Sequence, residues 1–144
     1  MERRQSTVAA DTLPEATLCG CARWCFMTAK VLVVEDEFLV RLVAVEALTV
    51  AGFEVFEAGD GYEAVAHCAE NDLDLLFTDV QLPGEIDGWE IAKRCRQSQP
   101  MLPVVYATAL ARDQSRAVPG SVLFRKPYTP DQLVGIVETF TRKR

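Results

Sequence analysis

Lys30-Val31-Leu32-Val33-Val34-Glu35-Asp36 is the stretch that decides the architecture of this chain. Four consecutive apolar residues, three of them β-branched, make a short strand buried on both faces. Two carboxylates follow where that strand ends. In an open parallel sheet the carboxyl ends of the strands are where ligands bind. Adjacent acids repel each other and call for a cation between them. A hard ion with oxygen ligands, Mg2+, meets that need.

Three later strands end in related chemistry. Leu73 to Thr78 runs into Asp79, which is followed by Val80-Gln81-Leu82-Pro83-Gly84. Val104 to Ala107 runs into Thr108 and the small Ala109, and Val122 to Arg125 runs into Lys126 and Pro127. Taken singly, each residue has a plainer reading: Asp36 as a helix cap, Asp79 as a turn former, Thr108 as a strand former, Lys126 as surface charge. As an ordered set at four strand ends they are the parts of a phosphoryl-transfer site built on a carboxylate: metal ligands, nucleophile, hydroxyl donor and ammonium clamp.

With that set in place, the stretch from about residue 29 to 141 resembles the receiver domain of the two-component response regulators, the CheY-like superfamily. The resemblance implies that Asp79 is the phospho-acceptor. It implies that Glu35, Asp36 and Asp79, with the backbone carbonyl of Gln81, hold Mg2+. Thr108 and Lys126 would grip the phosphoryl oxygens, and the Lys126–Pro127 bond would be cis. Val104-Val105-Tyr106-Ala107-Thr108-Ala109-Leu110 with Arg125-Lys126-Pro127-Tyr128 is also similar to the FAT-GUY subgroup. Tyr106 stands where that subgroup has Phe, and Ala109 where it has Gly. The implied donor is a sensor histidine kinase or a histidine phosphotransferase, and the implied output is a conformational change read by another protein. The domain would assist only its own phosphorylation and dephosphorylation, without a separate enzymatic substrate.

The coarse layout is five repeats of strand then helix, an α/β pattern that implies a parallel sheet with right-handed crossovers. The family's form is doubly wound and flavodoxin-like, five strands in the order 2-1-3-4-5 with flanking helices. Helix one spans about Glu37 to Val50 and stops at Ala51-Gly52, a C-terminal glycine signal. Asp60-Gly61-Tyr62-Glu63 and Asp87-Gly88-Trp89-Glu90 each open a helix with an acidic cap and a Glu three residues on. Thr129-Pro130-Asp131-Gln132 opens the last helix with Pro in its first position. Ala111 to Val118 is expected to form a helix of one or two turns, ended by Pro119-Gly120.

Composition suits one acidic cytoplasmic domain. The 144 residues are 49% hydrophobic and carry a net charge of −6, which argues against nucleic acid as a direct partner. No apolar run approaches the roughly 18 residues that cross a bilayer, so no membrane role is expected. Residues 1–28 read as a disordered leader or a non-native extension, and residues 29–144 as the receiver; Met27 resembles a natural beginning. Cys19, Cys21 and Cys25 lack a fourth zinc ligand nearby, the only histidine being His67 on a separate helix. Cys68 and Cys95 fall on predicted helices and read as buried reduced thiols.

Helix one is more apolar than a core stripe requires: Phe38, Leu39, Val40, Leu42, Val43, Val45, Leu48 and Val50 are relieved mainly by Arg41 and Glu46. Since this helix docks against the kinase's helical hairpin in the family, the surplus, Phe38 above all, reads as a partner surface. Many receivers carry a rotating aromatic residue three positions before the lysine. Here that position is Leu123, and Tyr106 is the substitute candidate. The chain ends within a few residues of the last helix, so the reading is a stand-alone receiver, signalling by contact or passing phosphate on. The alternatives are a small-molecule phosphatase or phosphotransferase working through an aspartyl-phosphate, and a pseudo-receiver that is never phosphorylated. Gln81 opposes the first, because it stands where a phosphatase of that kind has a general-acid Asp. The intact site set opposes the second.

Overall fold

The computed structural model describes residues 28–109 and 113–142. Strands β1 (Lys30–Val34), β2 (Glu54–Ala58), β3 (Leu75–Asp79), β4 (Val104–Thr108) and β5 (Val122–Arg125) form one sheet in the order β2-β1-β3-β4-β5. Every neighbouring pair is parallel. The helices are α1 (Phe38–Val50), α2 (Gly61–Glu70), α3 (Gly88–Ser98) and α4 (Pro130–Arg142).

Alternation along β1 sorts the core into two layers. Leu32 and Val34 join Ala64, Cys68, Ile91, Cys95 and Tyr106 on the face that α2 and α3 cover. Val31 and Val33 join Ala44, Leu48, Phe77, Leu133 and Val137 on the face that α1 and α4 cover. All four apolar residues of β1 are fully buried, each worth roughly 1.5–3 kcal/mol relative to exposure. β1 is therefore an interior strand of the sheet with both faces covered, as its unbroken apolar run requires.

The helix signals are realised at atomic level. Asp60 accepts from Glu63 N at 2.9 Å, and Asp87 accepts from Glu90 N at 3.0 Å. Thr129 Oγ1 accepts from Gln132 N at 3.1 Å while Gln132 Oε1 accepts from Thr129 N at 2.9 Å, a reciprocal capping box. α1 ends at Gly52, φ 104°, with Phe53 N donating to Leu48 O and Gly52 N to Thr49 O. That left-handed position and its two bonds form a Schellman stop.

Two expectations are corrected. The segment after β4 is not helical in its described part, 113–120, so four helices rather than five are present among the described residues. Its backbone donors are taken elsewhere: Ser115 N by Asp113 Oδ1 at 2.9 Å, Ala117 N by Gln114 O at 3.0 Å, and Val118 N by the Tyr106 hydroxyl at 3.1 Å. Such local side-chain and turn bonds compete directly with a helical ladder. Cys68 and Cys95 are buried as expected, but they are joined in a disulfide with their Cα atoms 5.5 Å apart. α2 and α3 pack side by side, and each cysteine lies in the last turn of its helix, so the side chains meet. Spacing within either helix carries no information about that register. Residues 1–27, with Cys19, Cys21 and Cys25 and the expected leader, and Leu110 to Arg112 lie outside the described residues.

Tyr106 is the largest fully buried side chain among the described residues, its ring 4.5 Å from that of Trp89. Replacing it with alanine would open a large cavity, costing about 3–5 kcal/mol, and would confuse a switching role with unfolding. Tyr106→Phe is the cleaner probe, because it removes only the hydroxyl that receives Val118 N. We expect it to lower stability in urea by about 1 kcal/mol. An unchanged midpoint would mean that this bond contributes nothing to holding the β4–β5 connection.

Candidate functional site

The carboxyl edge of the sheet gathers one residue or pair from each of four strands. Glu35 N still donates to Ala58 O at 3.1 Å, continuing the β1–β2 pairing past the last strand residue and turning the Glu35 side chain inward. Its Oε1 accepts from Glu37 N at 3.2 Å and its Oε2 from Lys126 Nζ at 2.9 Å. Asp36 is exposed at the rim. Asp79 is the final residue of β3 and is buried. Its Oδ1 accepts from Gln81 N at 3.2 Å and its Oδ2 from Lys126 Nζ at 3.0 Å. Thr108 closes β4, also buried, and its carbonyl accepts from Lys126 N at 2.9 Å. The Lys126–Pro127 bond is cis.

These residues line one open cleft of about 480 Å³, together with Glu37, Leu82, Pro83 and Ala109. One carboxylate oxygen from each of Glu35, Asp36 and Asp79 lies within 4.8 Å of the others. The three clustered carboxylates and the Lys126 ammonium together leave two formal negative charges, and Glu37 adds a third to the lining of the cleft. Partial desolvation at the cleft rim raises the Asp36 carboxyl from its ordinary value, and its hydrogen bond to Glu35 and that neighbour's charge push it the same way. Burial alone would lower Lys126, but its hydrogen bonds and charge pairing with Glu35 and Asp79 outweigh that and raise it. The donor set fits a hard divalent cation: all oxygen, surplus negative charge, and an open side with room for water ligands.

Some supporting residues were not legible beforehand. Arg41 reaches back from α1, Nη1 donating to Glu35 O at 2.7 Å and Nε to Glu57 Oε1 at 3.0 Å. It thereby clamps the β1–α1 turn that carries the acids. As the one base in an apolar helix it gave a faint signal, but nothing pointed to its target. Arg116 pairs with Asp87 at 2.9 Å, tying the β4–β5 connection to the N-terminus of α3. Tyr128, its hydroxyl pushed up to about 12 chiefly by burial, packs edge-on to Phe77 beneath the site.

The family described as response regulator receiver domain matches residues 31–138, most of the chain. The chain belongs to that family. The receiver is 32% identical over 123 residues to the sensor kinase CckA of Brucella abortus, covering 81% of this chain and 13% of that kinase. It is 27% identical to sporulation initiation phosphotransferase F of Bacillus subtilis, covering 79% of this chain and 94% of that protein. Among solved structures, a response regulator receiver protein from Sinorhizobium medicae superposes with a TM-score of 0.76 at 29% identity, covering 81% of this chain and 97% of that one. The receiver spans between 13% and 52% of the length of the sensor kinase and the transcriptional regulators it matches. No helix among its described residues is long and apolar enough to cross a membrane.

Proposed function

We propose that this receiver accepts a phosphoryl group on Asp79 from a phosphohistidine, on a sensor histidine kinase or a histidine phosphotransferase, and signals by a change of conformation. The observation that carries this reading is the Lys126 ammonium bridging Glu35 and Asp79 at 2.9 and 3.0 Å inside a cleft that also presents Asp36 and Thr108. Both oxygens of Asp79 are oriented before any donor arrives, one by Gln81 N and one by Lys126. Positioning of this kind is most of what a protein supplies to phosphoryl transfer.

An Asp79 oxygen attacks phosphorus in line as the bond from phosphorus to the donor imidazole breaks. Lys126 exchanges its carboxylate partner for a phosphoryl oxygen, which its flexible stem permits. The Thr108 hydroxyl turns to a second phosphoryl oxygen, and Ala109 leaves the approach open. Glu35, Asp36, Asp79 and the Gln81 carbonyl would hold Mg2+, which when bound supplies positive charge against the phosphoryl oxygens. To convert a 1:99 population into 99:1, the phosphoryl group must favour the active state by about 5.5 kcal/mol. A cytoplasmic protein contact is the reading for the output, in keeping with the acidic charge, and the domain catalyses only the gain and loss of its own phosphoryl group. Passing that group on to a second histidine uses the same chemistry, and the name of the Bacillus subtilis relative favours it as the second reading. The 104–110 and 125–128 motifs support placing it in the FAT-GUY subgroup.

The donor's docking surface is read on α1. Phe38, Leu39, Leu42 and Val43 are 47–69% exposed, so only part of this apolar helix serves the core. Leu39, Val40 and Val43 border a hollow of about 420 Å³ shared with Lys126, Pro127 and Tyr128, immediately beside the cleft. An autophosphorylated cognate histidine kinase is expected to transfer label to the wild-type protein within seconds, as a hydroxylamine-sensitive acyl phosphate; no label from any histidine donor would refute the reading. Phe38→Ala, at a site 61% exposed, is expected to leave thermal stability within about 0.5 kcal/mol and to slow that transfer roughly tenfold. An unchanged transfer rate would remove α1 from the docking surface.

A further inference from the structure

Cys68 and Cys95 are a feature the phosphoryl chemistry does not use. Their positions in the last turns of α2 and α3 put them at the amino edge of the parallel sheet, across the molecule from the cleft. Both are nearly inaccessible, 5% and 1% exposed, and their Cα separation of 5.5 Å is the spacing at which two cysteines bond without moving the backbone. The surroundings are apolar: both belong to the core layer with Leu73, Ile91 and Leu102. Two cysteines held at bonding distance on rigid neighbouring elements differ from two thiols that merely share a core, because oxidation needs no rearrangement of the fold.

The bond also has mechanical reach. Cys95 is followed by Arg96, whose Nε donates to Leu102 O at 2.8 Å and whose Nη1 donates to Pro119 O at 2.9 Å. At its other end α3 holds the same β4–β5 connection through Asp87 and Arg116. α3 is therefore the element on which the described part of the connection after β4 rests, and the disulfide fixes α3 to α2.

We propose that Cys68 and Cys95 form a reversible redox site, a dithiol in a reducing compartment and an α2–α3 cross-link under oxidising conditions. The two thiols together give up two electrons and two protons. A low-molecular-weight disulfide of the glutathione type accepts them: its S–S bond breaks as the Cys68–Cys95 bond forms, and it leaves as two thiols. Exchange proceeds through a mixed disulfide on one cysteine that the other then resolves. Because both sulfurs are buried, attack waits on local opening of the helix ends, so equilibration is slow compared with that of an exposed thiol.

The test uses the full chain, equilibrated in glutathione buffers of increasing oxidised fraction, then unfolded in an alkylating agent and digested without reductant. The expected result is a peptide cross-linked between Cys68 and Cys95, distinct from any involving Cys19, Cys21 or Cys25, that disappears after dithiothreitol. The oxidised protein is expected to melt about 10 °C above the reduced one, the shift that closing a loop of 27 residues implies. In Cys95→Ser that difference vanishes. Alkylation of both Cys68 and Cys95 in the oxidised sample, or a melting temperature in wild type that ignores reduction, would overturn the proposal. The wild-type comparison stands whether or not the serine variant folds.

Discussion

Lys126→Ala is expected to be labelled by acetyl phosphate at least 100-fold more slowly than wild type, with the fold retained. Lys126 is the only cation in contact with Asp79 among the described residues, and its Nζ lies 3.0 Å from Asp79 Oδ2 and 2.9 Å from Glu35 Oε2. On the proposed mechanism, removing it takes away the charge that would meet the phosphoryl oxygens as negative charge redistributes, an effect worth about 10²–10³ in rate for a preorganised donor. It also leaves Glu35 and Asp79 facing each other without compensation. The variant should therefore gain more thermal stability from millimolar Mg2+ than wild type does, since a dication would replace the lost countercharge. A time course of intact mass gives the rate, and melting curves with and without Mg2+ give the second quantity. A labelling rate within threefold of wild type would show that Lys126 is not the phosphoryl clamp.

Gly88→Val is expected to destabilise the protein by about 3 kcal/mol, lowering its melting temperature by roughly 10 °C. A Cβ at Gly88 would overlap the Asp79 carbonyl oxygen and come within 2.8 Å of Val80 Cα, both of them backbone atoms that cannot swing aside. Gly88 N also donates to Val80 O at 2.9 Å, so α3 begins in direct contact with the chain that has just delivered Asp79. Any side chain there must push the β3–α3 loop away, moving Asp79 with it. Gly135 provides the contrast. It lies inside α4, with nothing within 4 Å of a built Cβ, so Gly135→Ala should stabilise by about 0.5–1 kcal/mol. Equal effects at the two positions, followed by chemical denaturation, would show that close approach at Gly88 is not what selects glycine.

The contrast between these glycines marks what the sequence could and could not disclose. The unbroken apolar run of β1, the acidic caps before α2 and α3, and the glycine stop after α1 are local patterns whose meaning depends on few distant contacts, so they were legible. The residues of the cleft were legible for a related reason: each ends a strand, and parallel topology brings strand ends to one edge. What could not be read were relations between elements. The bond between Cys68 and Cys95 depends on the rotation of two helices about their axes. The absence of a helix over residues 113–120 depends on Tyr106 of β4, which takes the Val118 donor, and on Asp87 and Arg96 at the two ends of α3, which hold the Arg116 side chain and the Pro119 carbonyl. Arg41 was visible only as one of two charges, with Glu46, relieving an apolar helix, and its target, the Glu35 carbonyl, was not visible at all.

The central claim is that Asp79 is the acceptor and that the three clustered carboxylates work with Mg2+. The direct measurement is intact mass after acetyl phosphate treatment, with Mg2+ and with chelator, for wild type and Asp79→Asn. The expected result is one phosphoryl adduct on wild type that requires Mg2+ and is missing from Asp79→Asn. An adduct of the same size and rate on the Asn variant, or one indifferent to Mg2+, would contradict it.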